Sequence, residues 1–267
     1  MSAEVAYEPA PSDNLIALSL EQKQFFDANG YLVVEDVYSP DEVAEIRAAM
    51  NALLKEPGLA RPRVKFSYEP AESAGSSPID PDNPHRIWMI FDTPLAGDLW
   101  FRQACDPKVV NIVGDLLGPN IDFHNGKARI KPPGYQSHQV WHQDWPYERH
   151  TLPQLAAALI YLDDTGPGAA ATEVIPGSHL QGEWEHTPET YIPDENVKSP
   201  AVPICARAGS VAFIHVLVVH RAGANVSTTN RSCIINEYKT MEALDRWNNT
   251  CALAELPLLR DKAPFQI

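Results

Sequence analysis

Two histidines and a carboxylate stand in an order that suits a metal ion. One residue separates His142 from Asp144, and His220 follows much later in the chain. Two imidazoles and one carboxylate can occupy one face of an octahedral iron(II) ion, leaving positions open for a chelating cosubstrate and for O₂. His142, Asp144 and His220 are therefore the candidate metal ligands and catalytic residues.

An arginine follows the last of these residues. Arg231 lies eleven residues after His220. Its guanidinium can hold a carboxylate through two parallel, charge-assisted hydrogen bonds. Together the four residues predict a site for Fe(II), the cosubstrate 2-oxoglutarate and O₂, with Arg231 binding the distal carboxylate of 2-oxoglutarate.

The H-x-D spacing alone is a weak signal. With 9 His and 35 acidic residues in the chain, about one H-x-[DE] triplet is expected by chance. The elements around the motif therefore matter. Residues 127–131 predict a strand that stops at residues 132–134, Pro-Pro-Gly. Residues 139–145 predict an extended segment closed by Pro146, and residues 155–162 predict another strand.

Further motifs follow in order. Residues 172–179 read Thr-Glu-Val-Ile-Pro-Gly-Ser-His, residues 209–213 read Gly-Ser-Val-Ala-Phe, and residues 220–231 carry the distal histidine and the arginine. From residue 20 to residue 240, this ordered set resembles the phytanoyl-CoA dioxygenase family. The resemblance implies a mostly β protein with flanking α-helices, built on a double-stranded β-helix (jelly-roll, cupin-like) core that binds Fe(II) and 2-oxoglutarate.

Residue by residue, the resemblance assigns the metal to the two histidines and the aspartate, and the cosubstrate to Arg231. It also implies that Gln139 and Thr172 contact the cosubstrate. Asp144 is retained where halogenating relatives carry a small residue, which favours oxygenation over halogenation. Glu173 departs from the family pattern, in which a smaller or uncharged residue is expected at that position.

The expected substrate is a small molecule, and the expected outcome is hydroxylation of an unactivated C–H bond. An acyl-CoA is less favoured because the chain has no extended basic patch, so a specialised metabolite or amino-acid-like compound is expected. The same chemistry leaves desaturation and ring closure open. Trp145 and Tyr147, next to the ligands, are candidates for substrate contact, although core packing is an equal alternative.

Two other functions use the same residues. A zinc-dependent hydrolase could bind its metal with the three ligands, but Arg231 would then have no clear task. A non-catalytic jelly-roll binding protein is disfavoured by the complete ligand set. His215 is the main rival of His220 as distal ligand, and only His220 is followed by the spacing to Arg231.

Composition limits the partners. The net charge of −14 and pI near 5.0 argue against nucleic acid and anionic membrane surfaces. The start of the chain lacks a secretory signal and the four cysteines are scattered, so a cytoplasmic protein with reduced thiols is expected. The pattern does not predict an oligomeric state.

The rest of the chain is expected to frame the site within a single oxygenase domain, residues 1–267. Capping boxes at Ser19 and Ser39 predict two helices in residues 19–56, with a strand after Gly30. Residues 57–85 are rich in proline and predict a loop or lid. The jelly-roll core is expected over about residues 120–240.

Overall fold

The computed structural model describes residues 5–60, 62–69, 79–134, 140–246 and 253–265. Within these ranges the α-helices are α1 Leu20–Asn29, α2 Pro40–Lys55, α3 Asp98–Ala104, α4 Pro107–Leu117 and α5 Trp145–Glu148. Short 3₁₀ turns occur at Pro57–Leu59, Thr93–Ala96, Ser178–Gln181 and Asp194–Asn196. None of the helices in the described ranges is long and apolar enough to cross a membrane.

The strands, in chain order, are β1 Tyr31–Val34, β2 Lys65–Tyr68, β3 Ile87–Phe91, β4 Ile121–Lys131, β5 Leu155–Tyr161, β6 Thr172–Val174, β7 Val202–Pro203, β8 Val211–His215, β9 His220–Ala222, β10 Arg231–Thr240, β11 Leu256–Arg260 and β12 Ala263–Pro264. A nine-stranded antiparallel sheet has the order β1-β8-β5-β10-β4-β11-β12, and the β2–β3 pair joins it alongside β4. A three-stranded sheet has the order β7-β6-β9. This curled pair of sheets confirms the predicted mostly β, cupin-like fold.

Helices cover one face of the large sheet. Phe26 of α1, Ile46 of α2 and Val113 of α4 are buried in one hydrophobic cluster with Ile121 of β4 and Phe213 of β8. Burial of apolar surface at about 25 cal/mol per Å² is the main force that holds these helices in place. The other face of the large sheet is turned toward the small sheet, and a cavity lies between the two sheets.

The predicted N-terminal elements are confirmed. Ser19 and Ser39 each form a full capping box, at the starts of α1 and α2. Gly30 ends α1 with φ of 78°. A Cβ there would lie 2.5 Å from a Val218 methyl carbon and 2.6 Å from Nδ1 of His179, so both the backbone and the space require glycine.

Two local predictions are wrong. The described part of residues 57–85 is not loop throughout, because residues 65–68 form β2 and pair with β3; residue 61 and residues 70–78 lie outside the described ranges. Pro146 does not close an extended segment either. It lies in the first turn of α5, where a backbone N–H has no partner within the helix, so proline loses no hydrogen bond by lacking one.

Candidate active site

The two candidate histidine ligands are held side by side by the backbone. His142 and His220 form an isolated antiparallel bridge, in which each backbone N–H donates to the carbonyl of the other residue, at 3.0 and 2.9 Å. Their ring centroids lie 4.2 Å apart. Residues far apart in the chain thus present their side chains at one place, with β9 of the small sheet carrying His220.

Both imidazoles are fixed in the same tautomer. Nδ1 of His142 lies 2.9 Å from the carbonyl oxygen of Val140, and Nδ1 of His220 lies 3.0 Å from that of Val218. A carbonyl oxygen only accepts, so each Nδ1 carries the proton and donates it. Each Nε2 therefore keeps a lone pair for a metal, the orientation that metal-binding histidines usually receive from such partners.

The carboxylate completes the set. Oδ1 of Asp144 lies 3.5 Å from Nε2 of His142 and 3.8 Å from Nε2 of His220. Burial opposes the charge of Asp144, but the two histidines beside it hold its pKa well below the ordinary value. Burial and then His142 lower the pKa of His220 to about 4. At neutral pH the site therefore offers a carboxylate and neutral imidazole, the protonation states that bind metal.

Arg231 enters the cavity from the large sheet. It is the first residue of β10 and is 1% exposed. One terminal nitrogen, Nη2, donates to the Thr172 hydroxyl at 3.1 Å, and Nη1 lies 3.1 Å from Sγ of Cys233. The guanidinium carbon lies 5.3 Å from the centroid of the Tyr161 ring. Among the described residues no carboxylate forms a salt bridge with Arg231, and its Nε has no hydrogen-bond partner.

All of these groups line one cavity of about 110 Å³. Its walls include the metal-binding set, Arg231 and Thr172, together with apolar side chains from β5 and β8. Three further charged residues also line it: Lys127, Arg129 and Glu237. Nζ of Lys127 lies 2.5 Å from Oε1 of Glu237, and the guanidinium carbon of Arg129 lies 5.2 Å from the centroid of the Trp88 ring.

A signal for these wall residues exists in the sequence. Lys127 and Arg129 are two residues apart, and alternate residues of a strand face the same side. Two cations on one face of a strand beside the candidate ligands were therefore recognisable. The sequence does not show which face of this strand turns toward the cavity, because the burial of a face depends on the opposite sheet.

The other predicted site residues lie at different places relative to the cavity. Tyr147 borders the site, with its ring centroid 6.0 Å from that of His142 and its hydroxyl donating to the Thr190 carbonyl. Trp145 is buried in a separate cluster with Leu155 and Leu217, which favours the core-packing alternative for this residue. Gln139 lies outside the described residues.

The side-chain contacts of His215 and Glu173 show where these two residues point. His215 points away from the cavity, because its buried ring meets the rings of Tyr7 and Phe26. Glu173 forms an ion pair with Arg221, whose Nε lies 2.6 Å from its carboxylate. Glu173 thus binds the residue that follows His220 along β9.

The residues present fit iron(II) and 2-oxoglutarate. The two-histidine, one-carboxylate set has the donors that non-haem iron(II) takes, and it keeps one face of the metal open. The buried guanidinium of Arg231 opens on the same cavity and forms no salt bridge with a carboxylate of the described residues. Because a buried charge is usually paired, a carboxylate ligand is the partner that this arginine requires.

The comparison with known sequences agrees with this chemistry. The family model for phytanoyl-CoA dioxygenase matches residues 26–233. A probable alpha-ketoglutarate-dependent hypophosphite dioxygenase from Stutzerimonas stutzeri is 28% identical over 84% of this chain and 79% of that protein. Ectoine dioxygenase from Bordetella parapertussis is 26% identical over 85% and 77%. Peroxisomal phytanoyl-CoA dioxygenase from Rattus norvegicus is 27% identical over 83% and 68%.

Solved structures share the fold. EctD from S. alaskensis with bound iron superposes with a TM-score of 0.73 at 21% identity, covering 92% of this chain and 90% of that one. EctD with 2-oxoglutarate and 5-hydroxyectoine gives a TM-score of 0.69 at 22% identity, covering 88% and 84%.

Proposed function

We propose a substrate class for this chain, which belongs to the phytanoyl-CoA dioxygenase family and is an Fe(II)- and 2-oxoglutarate-dependent oxygenase. It hydroxylates an unactivated C–H bond of a small, charged, amino-acid-like molecule or specialised metabolite. One observation carries the assignment of the site. The guanidinium of Arg231, which forms no salt bridge with a described carboxylate, opens on the same buried cavity as the set His142, Asp144 and His220.

The roles follow from position. We assign iron(II) to Nε2 of the two histidines and to the carboxylate of Asp144, and the distal carboxylate of 2-oxoglutarate to Arg231 with Thr172 beside it. When bound, iron, 2-oxoglutarate and O₂ supply an oxidant strong enough to break a C–H bond, and 2-oxoglutarate becomes succinate and CO₂. The protein's part is to orient the groups and to exclude water from them.

The charged walls suggest the substrate class. Lys127, Arg129 and Glu237 face the cavity with both signs of charge. Burial opposes the charge of Lys127, but Glu237 and Asp144 raise its pKa, so it remains a cation. Lys127 and Glu237 pair with each other, and a substrate that carries both an anionic and a cationic group can exchange partners with this ion pair. A purely apolar substrate offers the charged walls no such exchange. The limited volume favours a small molecule.

The test is substrate-stimulated turnover. Purified protein with Fe(II), 2-oxoglutarate and O₂ is incubated with a panel of amino acids, cyclic zwitterions, simple anions and acyl-CoAs, and succinate and product mass are measured. We expect a small zwitterion to stimulate succinate formation and to gain one oxygen atom. Turnover that proceeds with Zn²⁺ and without 2-oxoglutarate would instead identify a hydrolase.

A variant of the wall supports the same test. Arg129→Gln removes a cation from the substrate side and leaves the assigned ligands of iron and 2-oxoglutarate unchanged. We expect a raised KM for the small charged substrate, with an unchanged requirement for 2-oxoglutarate. An unaltered KM would place the substrate away from this wall.

The wider setting is also a proposal. We infer that residues 1–267 act as one oxygenase domain in the cytoplasm, with a small molecule as the partner and without nucleic acid or membrane. The net charge of −14 argues against nucleic acid and anionic membranes as partners, because anionic surfaces would repel the chain.

A further inference from the structure

A second cluster of metal-binding side chains lies outside the active-site cavity. His124 of β4, Glu148 at the end of α5 and His150 just beyond it each offer one ligand atom, and these atoms all lie within 4.8 Å of one another. Both histidines are 1% exposed. None of the three residues has a task in the oxidation assigned above.

The backbone brings Glu148 and His150 to the same side. The residue between them, Arg149, has φ of 32° and ψ of 60°, a left-handed conformation that non-glycine residues seldom adopt. His150 is then fixed by a backbone bridge to Asp245. A strained residue such as Arg149 persists where the surrounding structure holds it, commonly beside functional groups.

The side chains of the cluster are not fully satisfied. Nε2 of His124 forms a hydrogen bond with Oε2 of Glu148. The His150 ring lies edge-on to that of His124, with centroids 4.7 Å apart. Neither ring nitrogen of His150 has a hydrogen-bond partner of normal geometry in the described ranges. Since nearly all buried polar side chains have a partner, this imidazole lacks the group that it would bind.

We propose that His124, Glu148 and His150 form a second divalent metal site, with Zn²⁺ as the preferred ion. Two imidazoles and one carboxylate, with a water molecule in the fourth position, are a common zinc set. Magnesium and calcium are disfavoured because they prefer oxygen ligands. Binding replaces the hydrogen bond between His124 and Glu148, and the proton that they share is released to solvent.

The second site has a direct connection to the first. Asp144 immediately precedes α5, and Glu148 ends it, with the backbone N–H of Glu148 donating to the carbonyl of Asp144 at 3.2 Å. An ion bound by Glu148 and His150 fixes the far end of this single helical turn. It therefore stabilises the segment that positions Asp144.

Metal stoichiometry tests the proposal. Metal-free protein is titrated with Zn²⁺ against a coloured chelator and, in parallel, with Co²⁺ followed by visible absorption. We expect two equivalents in the wild type. His150→Ala and Glu148→Gln should each bind one equivalent, His220→Ala should bind one, and His220→Ala/Glu148→Gln should bind none. His85→Ala, which removes an exposed histidine, is the matched control and should bind two.

Thermal unfolding provides a readout that does not depend on activity. Zn²⁺ should raise the Tm of His220→Ala, because an ion that binds only the folded state stabilises that state. It should leave the Tm of His220→Ala/Glu148→Gln unchanged. Glu148→Gln keeps the shape of the side chain, so it decides the matter if His150→Ala does not fold. One equivalent in the wild type, or two in Glu148→Gln, would overturn the proposal. Neither result would affect the assignment of iron to the first site.

Discussion

At the scale of single residues, the active site depends on hydrogen bonds that orient each side chain before a ligand arrives. Both histidines of the proposed iron site donate from Nδ1 to the carbonyl two residues earlier in the chain. Arg231 is steadied by Thr172 and by the face of Tyr161. Such preorganised groups bind their ligands with less loss of side-chain entropy.

Arg231→Ala should raise the 2-oxoglutarate requirement steeply. Loss of one partner of a buried charge pair costs about 2–5 kcal/mol, which corresponds to a loss of affinity of roughly thirty-fold to several-thousand-fold. Titration of 2-oxoglutarate against succinate formation measures it, and iron stoichiometry should not change. Arg231→Lys should recover only part of the loss, because an ammonium group cannot form the two parallel hydrogen bonds. An unchanged requirement would move the anchor to another cation.

His220→Ala and His215→Gln should separate the two candidate distal histidines. Removal of His220 leaves the metal one protein ligand short, so iron binding and turnover should both be lost. His215 accepts a hydrogen bond from the backbone of Leu217 at 3.2 Å in a cluster away from the cavity, and glutamine can keep an acceptor there. His215→Gln should therefore retain iron, as measured by anaerobic titration. The reverse pattern would show that the distal ligand is wrongly assigned.

At the scale of elements, Gln143 joins the ligand segment to its neighbours. Its side-chain amide donates to the carbonyls of Gly182 and Leu217 at 2.8 and 2.7 Å and accepts from the backbone of Trp184 at 2.8 Å. Ile192 adds a backbone hydrogen bond to Trp141. Residues 181–199 thus pack along the segment that carries His142 and Asp144.

Gln143→Ala should destabilise the protein and loosen residues 181–199. Two buried carbonyls and one part-buried N–H would lose their partner, at about 1–3 kcal/mol for each unsatisfied group. A loss of about 2–4 kcal/mol is therefore expected once the segment relaxes. Urea unfolding measures the stability, and hydrogen exchange should increase in residues 181–199. Gln181→Ala, at an exposed position nearby, is the control and should change neither. Unchanged exchange in Gln143→Ala would show that the segment is held by other contacts.

At the scale of the whole molecule, buried neutral histidines link stability to pH. Burial and then His179 lower the pKa of His215 to about 3, from an ordinary value of 6.5. Between these two pH values the unfolded chain binds a proton that the folded chain does not, so stability rises with pH across this window. Stability should therefore fall progressively as the pH drops from about 6.5 towards about 3.

His215→Gln should reduce this acid sensitivity. A glutamine takes up no proton, so the slope of unfolding free energy against pH should fall by up to about 1.4 kcal/mol per pH unit within the window. Urea midpoints measured between pH 4 and pH 8 would show the difference against the wild type. The exposed His85→Gln is the control and should keep the wild-type slope. Parallel curves for His215→Gln and the wild type would exclude His215 as a source of the linkage.

Local signals in the sequence account for much of the fold. The capping boxes at Ser19 and Ser39 predict α1 and α2 because each box is satisfied within a few residues. The helix α4 was not predicted, although Asp106 caps it and Pro107 stands at its first position. Only tertiary structure decided that residues 65–68 form a strand, since β2 depends on pairing with β3.

The proposed iron site divides in the same way. Its residue types and order, H-x-D, a distal histidine and an arginine behind it, are a property of the sequence and predict the chemistry by themselves. The charged walls and the second metal-binding cluster were decided by the tertiary structure. Lys127 reaches Glu237 only through the register of β4 against β10, and His124 meets His150 only because α5 ends beside β4. Strand register depends on which face is buried by distant segments, and no local spacing carries that information.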